Sequence, residues 1–109
     1  MAGTGEGVPR WVKVAGNANP TNFLRGRGIV SVGRVGVGQF DVTFDTNITL
    51  CAWFATRNDN SAGAAGPGQI AVEQATNVDP TKLRVRTFDS AGAAADPASD
   101  DGFSLMVLC

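Results

Sequence analysis

The chain has 109 residues, 43% of them hydrophobic, and its formal net charge is −1. This length fits one domain that can bury a core of its own, while the near-neutral charge provides no long-range field for nucleic acid or an anionic membrane. We therefore expect neither as a partner. The absence of His removes the commonest general base and excludes Ser-His-Asp, Cys-His and zinc-deaminase sites.

The first nine residues, MAGTGEGVP, are mostly small and carry neither the basic start nor the apolar region of a signal peptide. We expect a flexible tail over residues 1–9 and a single domain over residues 10–109. The chain is rich in Val and Gly and poor in Leu, Glu and Lys, a composition typical of β proteins rather than helical ones.

Four short strands are predicted in the first half of the domain. Apolar and polar residues alternate there, and turn formers separate the runs, which cover residues 10–15, 23–28, 29–35 and 39–44. The second run should lie at a sheet edge, because glycine interrupts it twice and its two arginines suit a water-facing rim. The Gly-Val-Gly sequence at residues 36–38 predicts a tight hairpin between the third and fourth strands.

Residues 50–55 form a predicted strand that is apolar on both faces. Leu50, Ala52 and Phe54 lie on one side, and Cys51, Trp53 and Ala55 lie on the other. A strand of this kind needs cover on both sides. We expect this strand and the closing strand of the chain to be central.

A long loop over residues 57–68 precedes three further predicted strands, at residues 69–75, 82–89 and 103–109. The middle one should present a basic outer face, because Arg84 and Arg86 alternate with the apolar residues. A second loop is expected over residues 90–102, where glycine, proline and aspartate interrupt any helix. The closing strand is again apolar on both faces.

Seven or eight short strands with frequent turn signals and no convincing helix predict an all-β protein. An antiparallel β-sandwich fits best, and both jelly-roll-like and Greek-key arrangements remain open.

Three motifs occur in order along the chain: GQFDVTF at residues 38–44, CAWFAT at residues 51–56 and FSLMVLC at residues 103–109. They resemble a small β domain of many bacterial proteins, notably actinobacterial ones, with the motifs G-x-[YF]-x-V-x-F, C-A-x-x-A-T and F-x-L-x-V-x-C. The resemblance covers residues 11–109 and implies no assigned chemistry. Phe40 stands where this family usually has Tyr, and Ser104 where it usually has His, so no role of that His transfers to this chain.

Cys51 and Cys109 are the only cysteines. If their strands are neighbours, a disulfide between them would close a long loop and hold the last residue in place. The alternative is two buried free thiols. The compartment stays open, and we favour an extracellular or cell-surface location.

Asp96, Asp100 and Asp101 cluster in one loop and offer oxygen ligands of the kind that calcium prefers. Their spacing matches no EF-hand, so a solvated acidic loop is the simpler interpretation. We expect no other cofactor and no enzymatic activity.

Apolar residues on the second face of two strands predict a surface that a partner covers. We assign Trp53, Met106 and Leu108 to this interface and add Arg84 and Arg86, which are also expected to pair with carboxylates such as Asp41.

The sequence therefore predicts a structural or interaction domain that forms a homo-oligomer, with a trimer favoured, as the distal module of a surface or fibre-like assembly. The alternative is a carbohydrate-binding module that uses aromatic residues such as Trp11 together with Asp and Arg residues of the loops.

Overall fold

The structure is a computed structural model that describes residues 9–15, 22–59, 68–97 and 101–109. Eight strands follow one another in this part of the chain: β1 (Arg10–Ala15), β2 (Asn22–Arg27), β3 (Ile29–Gly36), β4 (Gln39–Phe44), β5 (Ala52–Asp59), β6 (Gln69–Gln74), β7 (Lys82–Phe88) and β8 (Asp101–Leu108). All pairings are antiparallel, and they build a first sheet with the order β2-β1-β8-β5 and a second sheet with the order β3-β4-β7-β6. The predicted antiparallel β-sandwich is confirmed.

No helix that is long and apolar enough for a bilayer occurs in the part of the chain that the structure describes.

The core lies between the two sheets and is built by the alternating residues of four central strands. Eleven hydrophobic residues are buried there: Val12, Val14, Phe40, Val42, Phe44, Ile48, Leu83, Val85, Phe103, Leu105 and Val107. The rings of Phe40 and Phe103 contact each other across the two sheets, with centroids 5.4 Å apart. Each large side chain buried in this way contributes roughly 1.5 to 3 kcal/mol to folding, so the inter-sheet layer is the main source of stability.

Three local hairpins supply half of the strand pairs, namely β1–β2, β3–β4 and β6–β7. The predicted Gly-Val-Gly hairpin is the second of these. The remaining pairs, β1–β8, β4–β7 and β5–β8, join strands that are distant in the chain. Strand β2 lies at the edge of the first sheet, as predicted, and the long-range pairs place the first and last strands side by side.

Three predictions about the strand at residues 50–55 are wrong. Leu50 lies in a turn before the strand and is 98% exposed, because β5 begins only at Ala52. The strand then continues to Asp59, into the predicted loop, since it pairs with β8 along its whole length. It also lies at the edge of its sheet rather than in the centre, whereas β8 is central as expected.

The connection between β4 and β5 contributes to the core, which the sequence did not indicate. Ile48 is fully buried, and its backbone N–H donates to the carbonyl oxygen of Pro80 at 2.9 Å. The indole N–H of Trp53 in turn donates to the carbonyl oxygen of Ile48 at 2.8 Å. This connection therefore closes one end of the sandwich.

The predicted tail, apart from Pro9, lies outside the described residues. The same holds for residues 16–21, 60–67 and 98–100 of the predicted loops. In the second loop, residues 90–97 follow β7 without regular structure, apart from a bridge between Ala94 and Phe88.

Candidate functional site

The outer face of the first sheet carries two rows of side chains in direct cross-strand register. The apolar row runs across β5, β8 and β1 and consists of Phe54, Met106 and Trp11, and Arg27 on β2 stands next to Trp11 at its end. The polar row runs beside it across all four strands and consists of Thr56, Ser104, Lys13 and Arg25. Because alternate residues of a strand point to the same face, both rows face away from the core.

The apolar row is open at the surface. Phe54 is 51% exposed and Met106 is 37% exposed, and Leu108, two residues further along β8, is 38% exposed. A groove of about 220 Å³ runs between Trp11 and Phe54 over Met106. Thr56 and Ser104 border it, but its exposed lining is almost wholly apolar. The arrangement therefore suits a partner with an apolar surface of its own.

The β2 margin of this face is basic. Lys13, Arg25 and Arg27 are all exposed. Lys13 stands directly opposite Arg25 in the ladder, and Arg27 shares its face with Arg25. Among the described residues, no carboxylate lies within ion-pair distance of these three cations. We call these three residues the basic margin.

The outer face of the second sheet has a different character, because its charges neutralise each other. Arg84 donates to both carboxylate oxygens of Asp41, at 2.8 and 3.2 Å, which confirms the predicted pairing. The hydrogen bond to Asp41 raises the pKa of Arg84 above its ordinary value, so the guanidinium stays charged. Arg86 pairs with Glu73 at 2.9 Å. The charges on the two central strands of this sheet are therefore compensated, while Val30 and Val35 of its edge strand β3 are exposed.

The five residues assigned to the interface do not share one surface. Met106 and Leu108 lie on the outer face of the first sheet. Trp53 points the other way and packs against the core, because its neighbours Ala52 and Phe54 occupy the outer positions of β5. Arg84 and Arg86 lie on the outer face of the second sheet, on the opposite side of the molecule. The assignment of Trp53, Arg84 and Arg86 to the same interface as Met106 is therefore corrected.

Of the three aspartates considered as calcium ligands, the structure describes only the side chain of Asp96. The carboxylate of Asp96 accepts hydrogen bonds from Arg34 and from the backbone N–H of Gly38, at 2.8 to 3.2 Å. Burial acts to raise the pKa of Asp96, but these hydrogen bonds outweigh it and lower that pKa below its ordinary value. Asp100 and the side chain of Asp101 lie outside the described residues. Among described residues, no group of three His, Cys, Asp or Glu could hold a metal ion.

The predicted disulfide is present. Cys51, just before β5, is bonded to Cys109, just after β8, across a sequence separation of 58 residues. The two strands are neighbours in the first sheet, so the bond links the ends of the two strands that carry Phe54 and Met106.

Sequence reasoning missed that Phe54 and Trp11, rather than Trp53, flank the groove. The alternation within each strand separates Phe54 from Trp53, but it does not decide which of the two faces the core. Pairing of β5 with β8, and of β8 with β1, is what brings Phe54, Met106 and Trp11 together.

No family model matches the chain, and neither a search of curated proteins nor a search of solved structures finds a match.

Proposed function

We propose that this chain is a non-enzymatic structural or interaction domain that assembles with further copies of itself through the outer face of the first sheet. The observation that carries the proposal is the row of Phe54, Met106 and Trp11, three large apolar side chains in register on neighbouring strands. Leu108 extends this row into a contiguous exposed patch. Patches of this kind on soluble proteins mark sites of association.

The contrast between the two outer faces supports this choice of surface. On the outer face of the second sheet, Arg84 forms an ion pair with Asp41, and Arg86 forms one with Glu73. Among the described residues, no such pair lies along the apolar row of the first sheet. Burial of apolar area contributes roughly 25 cal/mol per Å², so covering this row gives association a driving force.

A second copy is the partner we favour, in a closed and most simply a trimeric arrangement. Soluble oligomers are usually built from identical chains with closed symmetry, which buries each patch and leaves none to recruit further copies. The trimer and the role as the distal module of a surface or fibre-like assembly are analogies at the level of fold.

The carboxylates whose side chains the structure describes support a non-enzymatic role. Asp41, Asp45, Glu73 and Asp96 pair with arginines. Asp79 and Asp89 accept backbone N–H groups within turns. Acid and base catalysis needs a titratable group free to exchange a proton with a substrate, and the chain also has no His to supply one.

Sedimentation velocity of two matched variants tests the proposal. Met106→Glu places a charge in the centre of the apolar row, whereas Thr43→Glu places the same charge on the outer face of the second sheet. We expect Met106→Glu to shift the chain to monomer while Thr43→Glu keeps the wild-type sedimentation coefficient. If both variants sediment like the wild type, the apolar row is not the interface.

A further inference from the structure

We propose that the basic margin beside Trp11 binds an acidic polysaccharide, whose carboxylate or sulfate groups pair with Lys13, Arg25 and Arg27. This is a ligand-binding role in addition to self-assembly. It uses the β1–β2 side of the face, whereas assembly uses the β5–β8 side.

Within the described part of the chain, the margin concentrates positive charge that no carboxylate compensates. Residues directly opposite in an antiparallel pair have Cβ atoms about 5 Å apart, so Lys13 and Arg25 are close neighbours of like charge. Arg27 lies about 7 Å further along the same face of β2. Like charges in this arrangement destabilise a sheet unless an anion lies between them.

In the residues that the structure describes, four other arginines have an acidic partner, unlike the three cations of the margin. Arg10, Arg34, Arg84 and Arg86 each have an Asp or Glu partner within 3.0 Å. The three cations of the margin therefore differ from these four arginines. An external anion would supply the charge that the described part of the chain does not place there, and Arg is well suited to two-point contacts with carboxylate or sulfate.

The neighbouring side chain of Trp11 indicates a sugar as the carrier of the anion. Trp11 stands directly opposite Arg27, so its ring can stack on the apolar face of a sugar whose anionic group pairs with the basic margin. An aromatic ring beside several cations matches an acidic sugar.

A polynucleotide fits this surface less well. Affinity for nucleic acid increases with the number of phosphates that the protein neutralises. Three cations on a chain of net charge −1 contribute little to such an affinity. A short run of uronate or sulfated sugar units requires only the few contacts that the margin offers.

The margin also stays accessible in an assembly. If two copies packed their margins together, three cations of one copy would face three of the other, which is unfavourable. The contact between copies therefore centres on Phe54 and Met106, and the margin lies at its rim. Trp11 lies between the surface proposed for assembly and the surface proposed for ligand binding.

Isothermal titration with four probes tests the inference: polygalacturonate, neutral dextran, a single-stranded oligothymidylate and phosphatidylserine vesicles. We expect polygalacturonate to bind, with an affinity that falls as salt is raised, and the other three probes to bind at least tenfold more weakly. Arg25→Gln/Arg27→Gln should weaken polygalacturonate binding at least tenfold, while Arg86→Gln on the second sheet should leave it unchanged.

Several results would overturn the inference. No binding of polygalacturonate to the wild type contradicts it directly, and equal or tighter binding of the oligonucleotide or the vesicles assigns the margin to another class of partner. Wild-type affinity in the double variant shows that the cations are not the site. The mass of the double variant, measured in parallel, separates this role from assembly, because loss of the oligomer would show that the cations serve contacts between copies.

Discussion

Arg34 on β3 and Asp96 in the loop after β7 form a two-point ion pair between residues 62 positions apart in the chain. The guanidinium Nη2 donates to Oδ2 of Asp96 at 2.9 Å, and Nε donates to the same carboxylate at 3.2 Å. The backbone N–H of Gly38 donates to Oδ1 at 2.8 Å. Asp96 thus fastens this loop to the hairpin between β3 and β4.

We predict that Asp96→Asn destabilises the fold by about 1 kcal/mol at pH 7, near the lower end for hydrogen bonds to charged groups because the pair is partly exposed. The folded-state pKa of Asp96 is lowered, so its ionised form stabilises the fold above about pH 4, the ordinary value for Asp. This contribution is lost as the pH falls through the lower folded-state pKa. Urea unfolding of both proteins from pH 7 to pH 2 measures it.

The difference in unfolding free energy between wild type and Asp96→Asn should therefore shrink below pH 4. Asp45→Asn is the matched control, because Asp45 also pairs with an arginine but its side chain is 50% exposed. We expect a smaller loss there. A difference for Asp96→Asn that stays constant down to pH 2 would contradict the role of the ionised carboxylate.

Replacement of Gly38 by alanine should destabilise the fold, whereas replacement of Gly33 should not. Gly38 has a φ of +64°, and a Cβ at this position would overlap the carbonyl oxygen of Thr87 and lie 2.9 Å from the backbone nitrogen of Ala95. We expect Gly38→Ala to cost about 2 to 4 kcal/mol. A Cβ at Gly33 meets nothing within 4 Å, so Gly33→Ala should be neutral or stabilise by up to about 1 kcal/mol. Thermal unfolding of the two variants compares them, and equal losses would contradict the geometry.

Loss of the disulfide should lower stability by about 4 kcal/mol in the chain-entropy description, because the bond between Cys51 and Cys109 closes a loop with a sequence separation of 58 residues. The variant Cys51→Ser/Cys109→Ser should unfold at a lower urea concentration than the oxidised wild type. Addition of reductant should bring the wild type to the same midpoint and leave the variant unchanged. Two reactive thiols per denatured wild-type chain without reductant would show that the bond does not form.

Much of the fold could be predicted from the sequence, because the strands that form the core have a simple pattern. Leu83 and Val85 alternate with charged residues along β7, and both are buried as that alternation predicts. The edge position of β2 follows from its glycines and arginines. The disulfide is predicted only on the condition that the strands of the two cysteines are neighbours, and the pairing of β5 with β8 meets this condition.

The candidate site could be predicted only in part, because it depends on register between strands that are distant in the chain. The sequence of the closing strand alone places Met106 and Leu108 on the same face, but the groove also needs Trp11 from the other end of the domain. Ile48 was missed for a related reason. A single apolar residue among turn formers shows no periodicity, and only its position beneath the β6–β7 turn, with its N–H donating to Pro80, makes it part of the core.

The mass of the wild-type protein in solution is the most direct test of the central claim, that the outer face of the first sheet joins copies of the chain. Light scattering coupled to size exclusion at micromolar concentration measures this mass. We predict a multiple of the chain mass of 11.2 kDa, with three copies as the favoured value, and the mass of one chain for Leu108→Asp. A dimer would contradict only the trimeric form, whereas a wild-type mass of 11.2 kDa would contradict the claim itself.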